Sequence, residues 1–222
     1  MKAEKFETNL KIPISYIHLN SGKNRPLVLM FHGFADSAKS FLKRAYSELP
    51  TDVEVLAING PFPLPQKKDG HWKHAYAWYF VDLETKEVYI HPDVAVQAVS
   101  DLLNHLGLSE REKIVIGFSQ GGFFVPFLLH KLRHVKQILT IGCGYRPGDY
   151  PEGKKFNLEA LHGEKDEIVT FKYAKETFET LKSHIHGSFT SIESMGHNFN
   201  DEARDWLKKQ IHKAVKAHEN KS

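Results

Sequence analysis

The sequence has no pair of cysteines, no long apolar run and no excess of either charge. Its one cysteine, Cys143, excludes an internal disulfide and a multi-cysteine metal site, which accords with a reducing compartment. A spanning helix needs about 18–20 consecutive apolar residues, and stretches such as 27–31 and 123–129 fall far short of that. Lys and Arg number 30 against 27 Asp and Glu, a net charge of +3. No basic run is interleaved with aromatics as a nucleic-acid groove requires. Neither nucleic acid nor a membrane span is therefore expected. The opening M-K-A-E-K-F-E-T-N-L places charges where an export signal would be apolar, so the expected location is cytoplasmic.

What is present is an ordinary globular composition, 41% hydrophobic and 26% charged over 222 residues. A chain of this length can bury one large core, and splitting into domains sets in mainly above about 250 residues. One domain over residues 1–222 is expected. Short β-rich apolar runs alternate with segments of helical period, which predicts an α/β chain with a mostly parallel central sheet and helices on both faces. Strands are expected at 6–10 and 14–19 as an antiparallel edge, then at 27–31, 53–58, 113–118, 135–141, 157–161 and 188–194. Helices are expected at 37–48, at 94–106 with Asp93 as cap and Gly107 as stop, at 120–132 with a kink at Pro126, and at 172–183 and 201–217. Residues 59–92, with Pro61, Pro63 and Pro65 ahead of H-W-K-H-A-Y-A-W-Y-F, read as a long loop. Long loops of this kind usually carry function.

The chemistry concentrates in K-I-V-I-G-F-S-Q-G-G, where Ser119 ends an apolar strand, lies between Gly117 and Gly121, and precedes a helix. This is the G-x-S-x-G nucleophile elbow. Two fixed glycines around a serine arise by chance about once in 200, so the flanking strand and helix carry most of the weight. On such a sheet the acid and then the histidine should follow on later loops at strand carboxyl ends. After strand 157–161 the loop H-G-E-K-D-E-I-V offers Asp166, with Glu164 as the next candidate. Among the later histidines, His184 and His186 precede the last strand, and His212 and His218 belong to the final helix. His197, in S-M-G-H-N-F, lies where its imidazole can reach both Ser119 and Asp166. An oxyanion hole needs two main-chain donors; Gln120, after the nucleophile, and Phe34, in H-G-F-A-D, are placed to supply them.

At this point the chain resembles the phospholipase/carboxylesterase and acyl-protein thioesterase group of the α/β-hydrolase fold. H-G-F-A-D, N-G-P, A-W-Y, G-F-S-Q-G-G, G-C-G-Y-R-P, H-G-E-K-D-E-I-V and G-H-N-F occur in that group's order over roughly residues 25–210. The resemblance implies a cofactor-free serine esterase with Ser119, Asp166 and His197 as triad and Phe34 and Gln120 as oxyanion hole. Ala35 stands where a glycine is common, Thr170 where a proline is, and Cys143 where a serine is. The arginine expected near Trp78 is missing. These departures bear on acyl and leaving-group preference.

The expected substrate is a small-molecule ester or thioester with a small to medium acyl chain, since no large cap domain is inserted. Phe62, Leu64, Trp78 and Tyr79 are candidates for the apolar acyl site, with plain packing as the competing role. A homodimer is open if the loop aromatics stay exposed. Peptidase or lactonase action would use the same triad, and a non-catalytic binding module would lack one of its members. A metal held by His71 and His74 with His91 or Asp69 is disfavoured by the proline-rich setting, so no metal is expected. Cys143 leads into a turn without a helix, which suits packing better than nucleophilic attack.

Overall fold

The computed structural model describes residues 11–22, 25–45, 47, 49–82, 84, 85 and 87–219; the strand expected at 6–10 lies outside them. Its centre is an eight-stranded sheet. β1 (Tyr16–Leu19), β3 (Glu54–Ile58), β2 (Leu27–Phe31), β8 (Lys113–Phe118), β9 (Val135–Ile141) and β10 (Phe156–Gly163) lie side by side, and β10 also pairs with β11 (Ile185–His186) and β12 (Phe189–Ile192). β1 is antiparallel to β3, and every other pairing is parallel.

Parallel strands covered on both faces need apolar residues at every position, and L-V-L-M-F of β2 is buried throughout. Alternate residues feed two cores. Leu27, Leu29 and Phe31 join a cluster with α2 (Pro92–His105), α3 (Gln120–Leu128) and Phe178 of α4 (Phe171–Glu179). Val28 and Met30 face the cluster built on α1 (Ala38–Ala45) and α5 (Asp201–Glu219). The helices thus cover both faces. Among the described residues no helix is long and apolar enough to cross a membrane.

Several helix ends differ from expectation; α4, for one, closes at Glu179, four residues early. The His91 side chain, not Asp93, caps α2: it accepts the Asp93 amide, and Pro92 takes the first helical position, where a missing N–H costs nothing. Thr170 caps α4 by accepting the Tyr173 amide, which gives this departure from the family pattern a structural role. α3 closes its regular turns at Leu128, four residues early, two residues beyond Pro126.

Residues 59–92 are not a loop. β4 (Phe62–Lys68) and β5 (His71–Ala77) form an antiparallel hairpin, and β6 (Phe80–Val81) pairs with β7 (Val88–Ile90). Asp69 and Gly70 turn the hairpin with φ of 52° and 78°, the double positive φ of a two-residue turn that matches strand twist. Among the described residues β4 pairs with β5 alone, so Pro63 and Pro65 sit on a strand whose other edge no described strand takes up, where a missing donor is tolerated.

Candidate active site

β8 delivers Ser119 at φ 50° and ψ −119°, a strained backbone for a residue with a side chain. The strain follows from how closely α3 approaches the sheet. A Cβ on Gly121 would lie 2.1 Å from the Phe31 carbonyl oxygen, and one on Gly117 would lie 2.7 Å from that of Gly121. Only glycine permits this approach, and the sharp turn it allows lifts the serine hydroxyl above the sheet edge.

Three side chains from distant parts of the chain meet there. Ser119 Oγ is 2.8 Å from His197 Nε2, and His197 Nδ1 is 2.7 Å from Asp166 Oδ2. A carboxylate accepts only, so Nδ1 carries the proton and Nε2 is left to accept from the serine hydroxyl. Asp166 follows β10 and is 4% exposed. Its Oδ1 accepts the amides of Ile168 and Val169 at 2.9 and 2.8 Å. Burial opposes its ionisation, but the hydrogen bonds from His197 and Val169 outweigh that and hold the carboxyl below its ordinary range. Glu164, the next candidate acid on this loop, instead accepts from the Ser191 hydroxyl.

Two further buried histidines lie close to this arrangement. His162 donates from Nε2 to the Val169 carbonyl at 2.7 Å and lies 3.3 Å from Asp166 Oδ2, while its buried Nδ1 has no partner among the described residues. Burial lowers its pKa. His32 is fully buried after β2; Nε2 accepts the Gly60 amide at 3.0 Å, so Nδ1–H donates to the Gly33 carbonyl at 2.7 Å. Burial lowers its pKa to about 4, which keeps it neutral. Order in the sequence singles out Ser119, Asp166 and His197, but a neighbouring histidine has no spacing rule, and only the fold reveals His162 and His32.

Phe34, in the loop after β2, is 55% exposed and is followed by Ala35 at φ 55°, where glycine would be unstrained. The Phe34 ring stands edge-on to Phe80, and Phe80 to Phe62, with centroids 6.3 and 5.9 Å apart. Leu64, two residues along β4, is half-buried like Phe62. Phe80 was not anticipated; it lies one residue past the aromatics singled out. Trp78 corrects the sequence reading. It is fully buried, stacked on Phe124 at 4.8 Å, with Nε1 donating to the His32 carbonyl, and it has no surface to offer a substrate. Tyr79 is 7% exposed and packs on Phe127, and burial pushes its hydroxyl pKa up. Both belong to the core.

The other candidate chemistries do not assemble. His71 and His74 lie on strand β5, where residues three apart point to opposite faces. Among the described residues no group of three metal-ligating side chains is placed to hold an ion. Cys143 is buried against Gly122, and burial pushes its thiol up to about 12.

The profile of the family described as "Serine hydrolase (FSH1)" matches residues 22–199. The chain belongs to the FSH1 serine hydrolase family. The matched span contains Ser119, Asp166 and His197. Acyl-protein thioesterase 1 homolog 1 of Dictyostelium discoideum is 23% identical over 231 residues, 90% of this chain and 96% of that protein. Among solved structures, acyl-protein thioesterase 2 of Zea mays superposes with a TM-score of 0.64 at 16% identity, covering 92% of this chain and 100% of that one. A carboxylesterase of Mesorhizobium loti gives 0.68 at 14%, covering 90% and 94%. This FSH1 family member therefore has the α/β-hydrolase fold, without a large cap.

Proposed function

We propose that this serine hydrolase cleaves carboxylic esters or thioesters of small to medium acyl chains through an acyl-enzyme. The observation that carries the reading is the unbroken chain of hydrogen bonds from Ser119 Oγ through both nitrogens of His197 to Asp166. Ser119 attacks the carbonyl carbon as its proton passes to His197 Nε2. Asp166 holds the tautomer and stabilises the imidazolium, which then protonates the leaving alcohol or thiol. Water, deprotonated by the same nitrogen, releases the acid and restores the serine.

The tetrahedral oxygen is assigned to the main-chain amides of Phe34 and Gln120, which have no partner among the described residues. Gln120 also opens α3, whose positive dipole end favours the developing charge. For the acyl group we assign the wall Phe34–Phe80–Phe62 with Leu64, which begins at the oxyanion loop.

Intact mass after treatment with a fluorophosphonate, together with turnover of p-nitrophenyl esters of increasing chain length, tests this reading. A single adduct on Ser119 and hydrolysis of the shorter esters are expected. In Ser119→Ala, kcat should fall roughly 10⁴-fold or more with the melting temperature kept; retained hydrolysis by the pure variant removes Ser119 from the nucleophile role. Peptide and lactone substrates in the same assay separate the related activities of this fold.

A further inference from the structure

The mechanism above uses only the main-chain N–H of Gln120, yet both polar atoms of the side chain are engaged as well. Oε1 accepts the Trp78 amide at 3.0 Å, and Nε2 donates to the Tyr79 carbonyl at 3.0 Å. One carboxamide thus grips two neighbouring residues where the chain leaves β5.

The gripped segment also holds the other oxyanion loop. The Tyr76 amide donates to the Asp36 carbonyl at 2.8 Å, and Trp78 Nε1 donates to the His32 carbonyl at 2.8 Å. Phe34 leans on Phe80, just beyond the grip. Residues 32–36 and residue 120 are therefore tied to one short strap, residues 76–80, whose indole is locked in the core.

We propose that the Gln120 side chain is a positioning residue: by gripping residues 78 and 79 it fixes the spacing between the Phe34 and Gln120 amides of the oxyanion hole. The proposal rests on the acyl-enzyme reading. Hydrogen-bond donors to a tetrahedral oxygen act only within a few tenths of an ångström of their ideal place, and the glycines that allow the elbow supply no side-chain brace. The grip requires one donor and one acceptor on a planar group of this length. Glutamine meets that need, methionine of similar size has neither function, and ionised glutamate would set an acceptor against the Tyr79 carbonyl.

Gln120→Met and Gln120→Glu in the full chain test it, with kcat expressed per site titrated by fluorophosphonate so that unfolded protein is not counted. For Gln120→Met, kcat is expected to fall about 10- to 100-fold, with KM within about threefold of the parent. A boronic acid, which becomes tetrahedral on the serine, should lose affinity by the same factor as kcat. For Gln120→Glu, ionised and unable to donate to the Tyr79 carbonyl, kcat at pH 7.5 should fall at least as far as in Gln120→Met, again with KM little changed.

Two results overturn the proposal: a Gln120→Met kcat within twofold of the parent, or a change confined to KM. If Gln120→Met yields no titratable sites, Gln120→Glu decides, and a kcat within twofold of the parent overturns the proposal. Failure of the acyl-enzyme reading looks different, since the parent itself would then take no adduct. In that event amide hydrogen exchange decides the positioning role. Faster exchange in Gln120→Met at residues 33–36 as well as 76–79 supports the strap, and faster exchange at 76–79 alone overturns it.

Discussion

His32 shows how much can hang on one neutral imidazole. Its pKa in the folded chain is about 4, against about 6.5 for an unperturbed histidine, so the folded state binds fewer protons than the unfolded state. Its contribution to stability is fully present above pH 6.5 and is lost as the pH falls towards 4. By pH 5 the loss amounts to about 2 kcal/mol. His162, also lowered by burial, acts in the same direction, and Asp166, held below its ordinary range, adds its own loss at still lower pH. Urea titrations at pH 7.5 and 5.0 should show this drop, with a shallower one in His32→Gln; an equal drop in both proteins would place the acid sensitivity elsewhere. At this scale the sequence was legible where order in the chain constrains geometry. Ser119, Asp166 and His197 must follow one another at successive strand ends, and the structure brings them within hydrogen-bond reach. Trp78 was misjudged because its burial depends on Phe124, a partner far along the chain that no local pattern connects to it.

Among elements, the elbow and the hairpin make opposite demands on glycine. At Gly121 the need is space: a Cβ 2.1 Å from the Phe31 carbonyl oxygen can be accommodated only by moving α3 off the sheet. Gly121→Ala should cost about 3 kcal/mol or more and, by shifting the elbow, abolish the fluorophosphonate adduct. Gly148→Ala, where nothing lies within 4 Å, should stay within about 0.5 kcal/mol, and urea midpoints of the two variants make the comparison. At Gly70 the need is conformation, since φ is 78° in open space. The hairpin was readable in principle, because Asp69-Gly70 is a strong two-residue turn signal. The sequence reading takes 59–92 as a loop on its prolines, yet β4 accepts Pro63 and Pro65 on the edge that no described strand takes up. The parallel strands were easier to find, since residues buried on both faces leave uninterrupted apolar runs.

At the scale of the whole molecule, one sheet separates two cores, and a tryptophan reports on each. Trp78 lies with α2 and α3, and Trp206 lies with α1 and α5. Because β2, β3 and β8 contribute alternate residues to both, losing one face strips the other of its floor. Fluorescence of the buried tryptophans and far-UV ellipticity should therefore share a single urea midpoint; separate midpoints would show that the faces unfold apart. Trp72, 69% exposed on the hairpin, would blur this readout and is best replaced by phenylalanine first.

The order of the strands also sets a timetable. A ribosome releases β2 and the loop with Phe34 first, then Ser119, then Asp166 and last His197. Through most of synthesis the emerging chain therefore carries Ser119 without the imidazole it meets in the folded state. On the proposed mechanism, acylating power would arrive only once β12 has emerged and taken its place beside β10, and a chain interrupted before that point would be chemically silent towards the acyl groups around it.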